Sequence, residues 1–389
     1  MASNKNRYTS SRIKHIASSL PYAFLSLFSK RNKKLIVFCA MHCETFDSNS
    51  KFIFLHFLQN EPDYEVKFVI NDDELREKLT QEYGSHFIDT RTKAGKKVAL
   101  SAATWIVSWL DLPLGGMFLK SRRLVIHLGH GTPLKNIGLC EKDASFAKKV
   151  YYTIHKTNVS YSLASTDFIG EIISKCLNFS KKHILVSGQP RTDAIFNEPV
   201  PFPELNTTEF NILYAPTWRQ YSPLKLFPFE DFNSEKLENF LTENNIHLWI
   251  RFHPAYEESI PKDILNIKNI SLFSAKKYTE VMDYINCFDS LITDYSSIYL
   301  DYMLLEKPIM FLPYDLEEYE KMIGFTMDYM ENTPGPKPST QQDFIKYLYD
   351  FKNNSEEYVN EVRKLNLKLN CNSKTNCKDL ADFIKFNQR

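Results

Sequence analysis

Trp249-Ile250-Arg251-Phe252-His253-Pro254 and Leu291-Ile292-Thr293-Asp294-Tyr295-Ser296-Ser297 are the two stretches whose reading decides the fold. In each, a short apolar run ends abruptly in polar residues, as a buried strand does where it leaves a sheet. After Asp294 the serine pair opens an apolar-periodic segment, so the pattern is strand, turn, helix start. Such a start leaves backbone N–H groups and two hydroxyls aimed at one place, where a phosphate fits. The serines alone are better explained as a plain helix cap. Arg251 and His253 at the end of the other strand add a cation and an imidazole, and together the two stretches form a candidate diphosphate pocket.

Working outward, the same alternation fills the chain. Strands are expected at Lys34–Ala40, Glu65–Ile70, Ala102–Trp109, Arg123–Leu128, Ser162–Ala164 and His183–Val186, with helices at Ser50–Leu58, Asp72–Tyr83 and Asp167–Cys176. Pro199-Val200-Pro201-Phe202-Pro203 then breaks the pattern, since clustered prolines cannot continue a helix or a central strand. It restarts with strands Asn211–Tyr214, Ile246–Phe252, Ile270–Phe273, Ser290–Thr293 and Pro308–Phe311, and helices Glu235–Asn244, Thr279–Ile285 and Ser297–Leu305. The expectation is an α/β protein of two open, parallel-sheet halves, residues 34–198 and 204–389, behind an N-terminal segment 1–33. Residues 340–389 are amphipathic and helical, and either close the second half or cross back to the first. Ligands of such sheets gather outside the carboxyl ends of the strands. There the second half places Thr217 and Arg219, His253, Asp294 with Ser296 and Ser297, and Asp315.

Net charge is only +1, which gives no general case for nucleic acid. Its distribution says more. Residues 1–43 carry eight Lys and Arg and no acidic residue, leaving 40 basic against 47 acidic residues in the rest. Tyr22, Phe24, Leu25, Leu27 and Phe28 lie between the two basic clusters of this segment, without an apolar run long enough to span a bilayer. A monotopic anchor on the anionic, cytoplasmic face of a membrane is expected, with an ordinary packing helix as the alternative. Seven scattered cysteines without a CxxC pair point to reduced thiols and no zinc site. No P-loop and no carboxylate cluster suited to two metals is present, so no metal and no obligatory cofactor are expected.

In the first half, His130-Gly131-Thr132-Pro133-Leu134-Lys135 follows a strand. His130, flanked by Gly129 and Gly131, is accessible and titrates near neutrality, as a general base for a hydroxyl must. A surface-loop histidine is the plainer reading of that loop by itself, and His127 within the strand reads as structural. Taken in order, HGTPLKNIG (130–138), SGQPRTD (187–193), YAPTWR (214–219), RFHP (251–254), TDYSS (293–297), KPIMFLPYDLEEY (307–319) and GFTMDY (324–329) resemble the CDP-glycerol glycerophosphotransferase family, the builders of teichoic acids and related polyol-phosphate capsules. The resemblance implies a GT-B-like fold, two Rossmann-type domains facing across a cleft, with an acceptor-side first domain and a CDP-donor-binding second one. It also implies membrane association and transfer of a polyol phosphate from a CDP-activated donor to a lipid-linked or polymeric acceptor, releasing CMP.

Residue by residue, the resemblance makes His130 the general base and assigns His253 and Arg251 to the donor diphosphate. Ser296 and Ser297 meet the donor phosphates, Asp294, Thr217, Arg219 and Asp315 line the donor side, and Gly131, Thr132 and Lys135 form the acceptor-side loop. One departure stands out: the family commonly has Trp before the HGT histidine, and Gly129 here is expected to remove an aromatic wall beside His130. Glycerol versus ribitol phosphate stays open. So do a GT-B glycosyltransferase using a nucleotide-sugar and a non-catalytic membrane scaffold.

Overall fold

The computed structural model describes residues 7–142, 144–198, 200–219 and 224–388; Lys5 of the basic arm and Pro199 of the proline cluster lie outside the described residues. The chain divides into two compact units: residues up to Thr132 with Asn136–Asp193 and from Ser373 on, and Pro133–Lys135 with Ala194–Asn372.

The first unit begins with α1 (Arg7–Phe28) and continues through β1 (Asn32–Cys39), α2 (Ser48–Asn60), β2 (Glu65–Val69), α3 (Asp73–Tyr83), β3 (Phe87–Ile88) and α4 (Lys93–Ser101). It goes on with β4 (Ala102–Val107), β5 (Leu124–His127), α5 (Phe146–His155), β6 (Tyr161–Ala164), α6 (Asp167–Leu177) and β7 (Ile184–Val186). Its seven strands form a parallel sheet in the order β3-β2-β1-β4-β5-β6-β7. Leu35–Cys39 of the central strand are buried, as a strand covered on both faces must be apolar throughout. Helix starts follow side-chain caps: Asp72 accepts from Leu75 N at 2.7 Å and Thr166 from Ile169 N at 3.3 Å.

The second unit holds β8 (Phe210–Tyr214), α7 (Ser234–Glu243), β9 (Ile246–Ile250), α8 (Lys262–Leu265), β10 (Ile270–Leu272), β11 (Ser290–Thr293), α9 (Ile298–Tyr302), β12 (Ile309–Phe311), α10 (Leu316–Met322), α11 (Gln341–Asn353) and α12 (Glu356–Leu369). Its parallel sheet runs β10-β9-β8-β11-β12. The chain winds outward from β8 to one edge and returns beside β8 as β11, so the two adjacent central strands bracket the switch point where ligands bind in such sheets.

Several local readings change. β9 stops at Ile250, so Arg251 and His253 belong to the loop beyond it. The helix expected at Thr279–Ile285 is two 3-10 turns, Val281–Asp283 and Ile285–Cys287. The helix expected over Ser297–Leu305 is α9, five residues long, followed by a 3-10 turn that Glu306 ends in a left-handed conformation. Helices α4 and α5 had no expectation. The chain leaves the first unit between Asp193 and Ala194, before the proline cluster. Phe202 within that cluster packs on Trp249, Tyr278 and Phe273 at 4.8–5.1 Å between ring centroids, so this stretch is part of the second core.

The final helix, α13 (Asn376–Asn387), crosses back to the first unit. Cys377, Leu380, Ala381 and Ile384 complete the core that α2 and the first sheet build, and Asp193 accepts from the backbone N of Asn376 and Cys377 at its start. Helix α1 runs straight through Pro21, and among the described residues no helix is long and apolar enough to cross a membrane. Among its described side chains Ser19 and Ser26 are buried, whereas Leu20, Phe24, Leu25, Leu27 and Phe28 are exposed.

Because Ile384 is fully buried, Ile384→Ala is expected to lower stability by about 2–5 kcal/mol. Urea unfolding checks this, with exposed Lys378→Ala as a control within about 0.5 kcal/mol of wild type.

Candidate active site

In the first unit the loops after β4 and β5 meet. β5 ends on His127, whose Nδ1 lies 3.0 Å from Ser162 Oγ; burial, then His155 and His130, push its pKa down to about 3. It is a neutral core side chain. The loop beyond it needs positive φ at Gly129 (70°) and Gly131 (135°), and a Cβ on Gly131 would stand 2.8 Å from Arg191 Nη2. Side chains outside the motif pin this loop. Asn49 Nδ2 donates to Gly129 O at 2.9 Å and to Gln189 Oε1 at 3.1 Å, Gln189 Nε2 donates to Thr132 Oγ1 at 3.3 Å, and Arg191 Nη1 donates to His130 O at 2.9 Å.

The His130 ring lies flat on Trp109, with centroids 3.6 Å apart and planes at 3°. The aromatic wall expected to be missing at Gly129 is therefore present, supplied by the residue two past the end of β4. His130 is exposed, with one face of its ring covered by Trp109. Burial and then Arg191 push its pKa down to about 4, against a hydrogen bond to the Ser108 backbone that raises it. At neutral pH it is uncharged and keeps a lone pair.

Lys135 separates from Gly131 and Thr132. The chain enters the second unit at Pro133–Lys135, where Thr326 N donates to Leu134 O at 2.9 Å, Lys135 bridges to Phe325, and Lys135 Nζ lies 5.9 Å from the Tyr319 ring centre. Burial lowers its pKa, while Asp294 raises it and Arg219 lowers it further.

At the carboxyl edge of the second sheet, three predicted residues form one buried network. Arg219 is 2% exposed; its Nε and Nη2 donate to both oxygens of Asp315 at 3.0 and 2.8 Å, and its Nη1 donates to Asp294 and to Thr217 O. Burial alone would lower the pKa of this guanidinium, but Asp315 and Asp294 override it and hold the group charged. Asp294 also accepts from Thr217 N at 2.7 Å and Tyr295 N at 2.5 Å, and Tyr295 Oη donates to Asp315 at 2.9 Å. The rings of Tyr295 and Tyr314 lie 4.9 and 4.8 Å from the guanidinium. With their polar atoms turned on one another, Arg219, Asp294 and Asp315 shape the loops after β8, β11 and β12.

Two other predicted residues keep unused polar atoms. Arg251 Nη1 and Thr217 Oγ1 are buried and, among the described residues, have no hydrogen-bond partner. Arg251 stands 4.8 Å from the Phe273 ring, its Nη2 donates to Thr279 O at 3.4 Å, and burial pushes its pKa down to about 10 despite Glu280 and Glu257. A half-buried cation whose buried N–H is unsatisfied is an anion's position. Ser296 Oγ accepts from Ile298 N at 3.5 Å and Ser297 makes no capping bond, but α9 is too short for a strong dipole. His253 is exposed beside Tyr256, which stacks on Trp218 at 4.5 Å; these residues with Pro216, Leu224 and Phe252 border a pocket of about 260 Å³. Among the described residues no group of three or more His, Cys, Asp or Glu is placed to hold a metal ion.

Residues 22–379 match the CDP-glycerol:poly(glycerophosphate) glycerophosphotransferase family. The chain belongs to it. A teichoic acid glycerol-phosphate transferase of Staphylococcus aureus is 26% identical over 89% of this chain and 92% of its own length. A teichoic acid poly(glycerol phosphate) polymerase of Bacillus subtilis is 25% identical over 81% of this chain, which spans 44% of that longer protein. The solved wall teichoic acid polymerase TagF superposes with a TM-score of 0.73 at 20% identity, covering 92% of this chain and 90% of that one. A putative UDP-N-acetylglucosamine 2-epimerase from Listeria monocytogenes reaches 0.59 at 14% identity, covering 92% and 98%. Both share the fold of two Rossmann-like sheets. This chain is thus a member of an enzyme family, the CDP-glycerol glycerophosphotransferases.

Trp109, Asn49, Gln189 and Arg191 had no place among the predicted site residues. Of these only Gln189 and Arg191 carried a signal, as members of a motif already noted.

Arg219→Leu removes the cation from two buried carboxylates and is expected to cost about 3–5 kcal/mol in urea unfolding. A loss under 1 kcal/mol contradicts the network's structural weight.

Proposed function

We propose that this protein transfers glycerol phosphate from CDP-glycerol to a hydroxyl of a polymeric or lipid-linked acceptor, releasing CMP, in the synthesis of a teichoic-acid-type polymer. The observation that carries the reading is Arg251 at the switch-point edge, a half-buried cation whose buried Nη1 has no partner among the described residues, in a chain that matches the family over residues 22–379. A TagF variant soaked with CDPG has the same fold, which supports a CDP-linked donor here.

In the proposed reaction the acceptor oxygen attacks the phosphorus that bears glycerol. The new P–O bond forms as the bond to the bridging oxygen breaks, and CMP departs with the bonding electrons. His130, neutral at working pH, takes the hydroxyl proton, while Trp109 and the bonds to its loop hold the ring in place. Arg251, His253 and Thr217 bind the diphosphate and stabilise the charge that grows on CMP. Arg219, Asp294 and Asp315 act through the loops they fix. Ser296 and Ser297 contribute hydroxyls to the same donor edge.

The reading includes attachment to the cytoplasmic face of a membrane. Its support is α1, which shows Phe24 at 64% and Phe28 at 71% exposure on the side away from its packing face, beside a basic segment.

Purified protein incubated with CDP-glycerol and membranes is expected to release CMP, with CDP-ribitol and a UDP-sugar turned over much more slowly. Turnover of the UDP-sugar without CMP release overturns the proposal. His130→Ala and Arg251→Ala are each expected to lower the transfer rate about 10²-fold or more. The pH profile follows from the lowered His130 pKa: the base stays unprotonated as pH falls through 6.5, so kcat/KM holds until pH approaches 4–5. An acid limb at pH 6.5 or above contradicts the role given to this ring.

A further inference from the structure

We infer that a basic cleft at the amino edge of the first sheet, lined by Arg31, Lys33, Lys120, Arg122 and Arg123, binds the phosphate headgroup of an anionic membrane lipid. The cleft has a volume of about 540 Å³, and among the described residues no Asp or Glu lines it. It is walled by the starts of strands: Arg31 and Lys33 at β1, Ala103 at β4, Leu124 at β5 and Tyr161 at β6. His130 follows the far end of β5, so the cleft lies at the opposite edge of the sheet from the proposed base.

The five cations line one cleft, and their hydrogen bonds run to uncharged groups. Arg31 donates to Leu100 O and Ser26 O, Arg123 to Ala102 O at 3.0 Å and Leu119 O at 3.1 Å, Arg122 to Leu27 O at 3.2 Å, and Lys120 to Val159 O at 3.3 Å. These acceptors are all neutral carbonyls, and among the described residues none of the five forms an ion pair with a carboxylate. Burial and then Arg122 lower the pKa of Arg31; burial and then Arg31 lower that of Arg123; burial, Lys182 and Lys156 lower that of Lys120. Cations crowded this way repel one another until an anion enters, and guanidiniums suit the oxygens of a phosphate.

The place of the cleft selects a lipid over a free phosphate. Arg122 and Arg31 bind the last turns of α1, the helix whose Phe24, Leu27 and Phe28 face outward. Apolar side chains beside clustered cations match the boundary between acyl chains and anionic headgroups. Arg122 itself is kept at φ 57°, a conformation unusual for a side-chain-bearing residue, while bonded to α1. The inference rests on the membrane attachment proposed above and adds the site that recognises the surface.

The test is co-sedimentation of the full chain with vesicles of phosphatidylglycerol in phosphatidylcholine. The triple variant Lys33→Gln, Lys120→Gln, Arg122→Gln is compared with a control of equal charge change, Lys78→Gln, Lys175→Gln, Lys364→Gln. The cleft variant is expected to lose about 10- to 100-fold in partitioning and the control less than threefold, with unchanged circular dichroism and melting temperature for both. Inorganic phosphate at millimolar concentration is expected to leave wild-type binding within twofold. Equal losses in the two variants overturn the cleft as a site while leaving membrane attachment standing. Failure of wild type to bind anionic vesicles overturns both. Strong competition by inorganic phosphate overturns the lipid as its occupant.

Discussion

The ion pair between Arg219 and its two carboxylates, Asp294 and Asp315, is the constraint on which the donor side of this protein depends. Three loops leave the sheet after β8, β11 and β12, and this one side chain bonds to all three. Because the guanidinium and both carboxylates are out of water, their geometry has to be satisfied as a whole; a missing partner leaves a buried charge unpaired. The network therefore fixes where the backbone of Thr217 and of Tyr295-Ser296-Ser297 can run. Arg251, with its spare N–H in the loop after β9, and Thr217 then stand beside a switch point whose shape is already set. That is the preorganisation phosphoryl transfer needs, since its chemistry is mostly positioning and charge.

The first unit solves a different problem by similar means. A histidine that takes a proton must be neutral, oriented and reachable at once. Stacking on Trp109 and the pins from Asn49, Gln189 and Arg191 orient the ring; burial and the Arg191 charge keep it neutral; its open edge leaves it reachable. The residue before this histidine, where the resemblance leads to an expected tryptophan, is a glycine at φ 70°, and an indole from another loop does the stacking. The same ring wall is reached by another route.

How much of this could be seen in the chain alone depended on how local the cause was. Parallel strands buried on both faces announce themselves as short apolar runs, and β1 and β11 stood close to where their sequences put them. Arg251 and His253 were legible as a cation and an imidazole at a strand end. The strand's end itself, at Ile250, was not, because hydrogen bonding to its neighbours decides it. Arg219, Asp294 and Asp315 were visible as polar residues at one sheet edge, but their mutual pairing spans 96 residues of sequence and gives no periodic signal. Trp109 lay at the tail of an expected strand and looked like core. α13 resembled any amphipathic helix, and only Cys377, Leu380 and Ile384 meeting the first core show which unit it completes.

The central claim is that the second unit receives the donor's diphosphate at the edge shaped by the Arg219 network. A crystal structure of the protein with CDP-glycerol bound tests this most directly. The account predicts diphosphate oxygens within about 3.2 Å of Arg251 Nη1 and Thr217 Oγ1, with the Arg219–Asp294–Asp315 bonds unchanged. A diphosphate bound elsewhere, with both of those atoms still unpartnered, would contradict it.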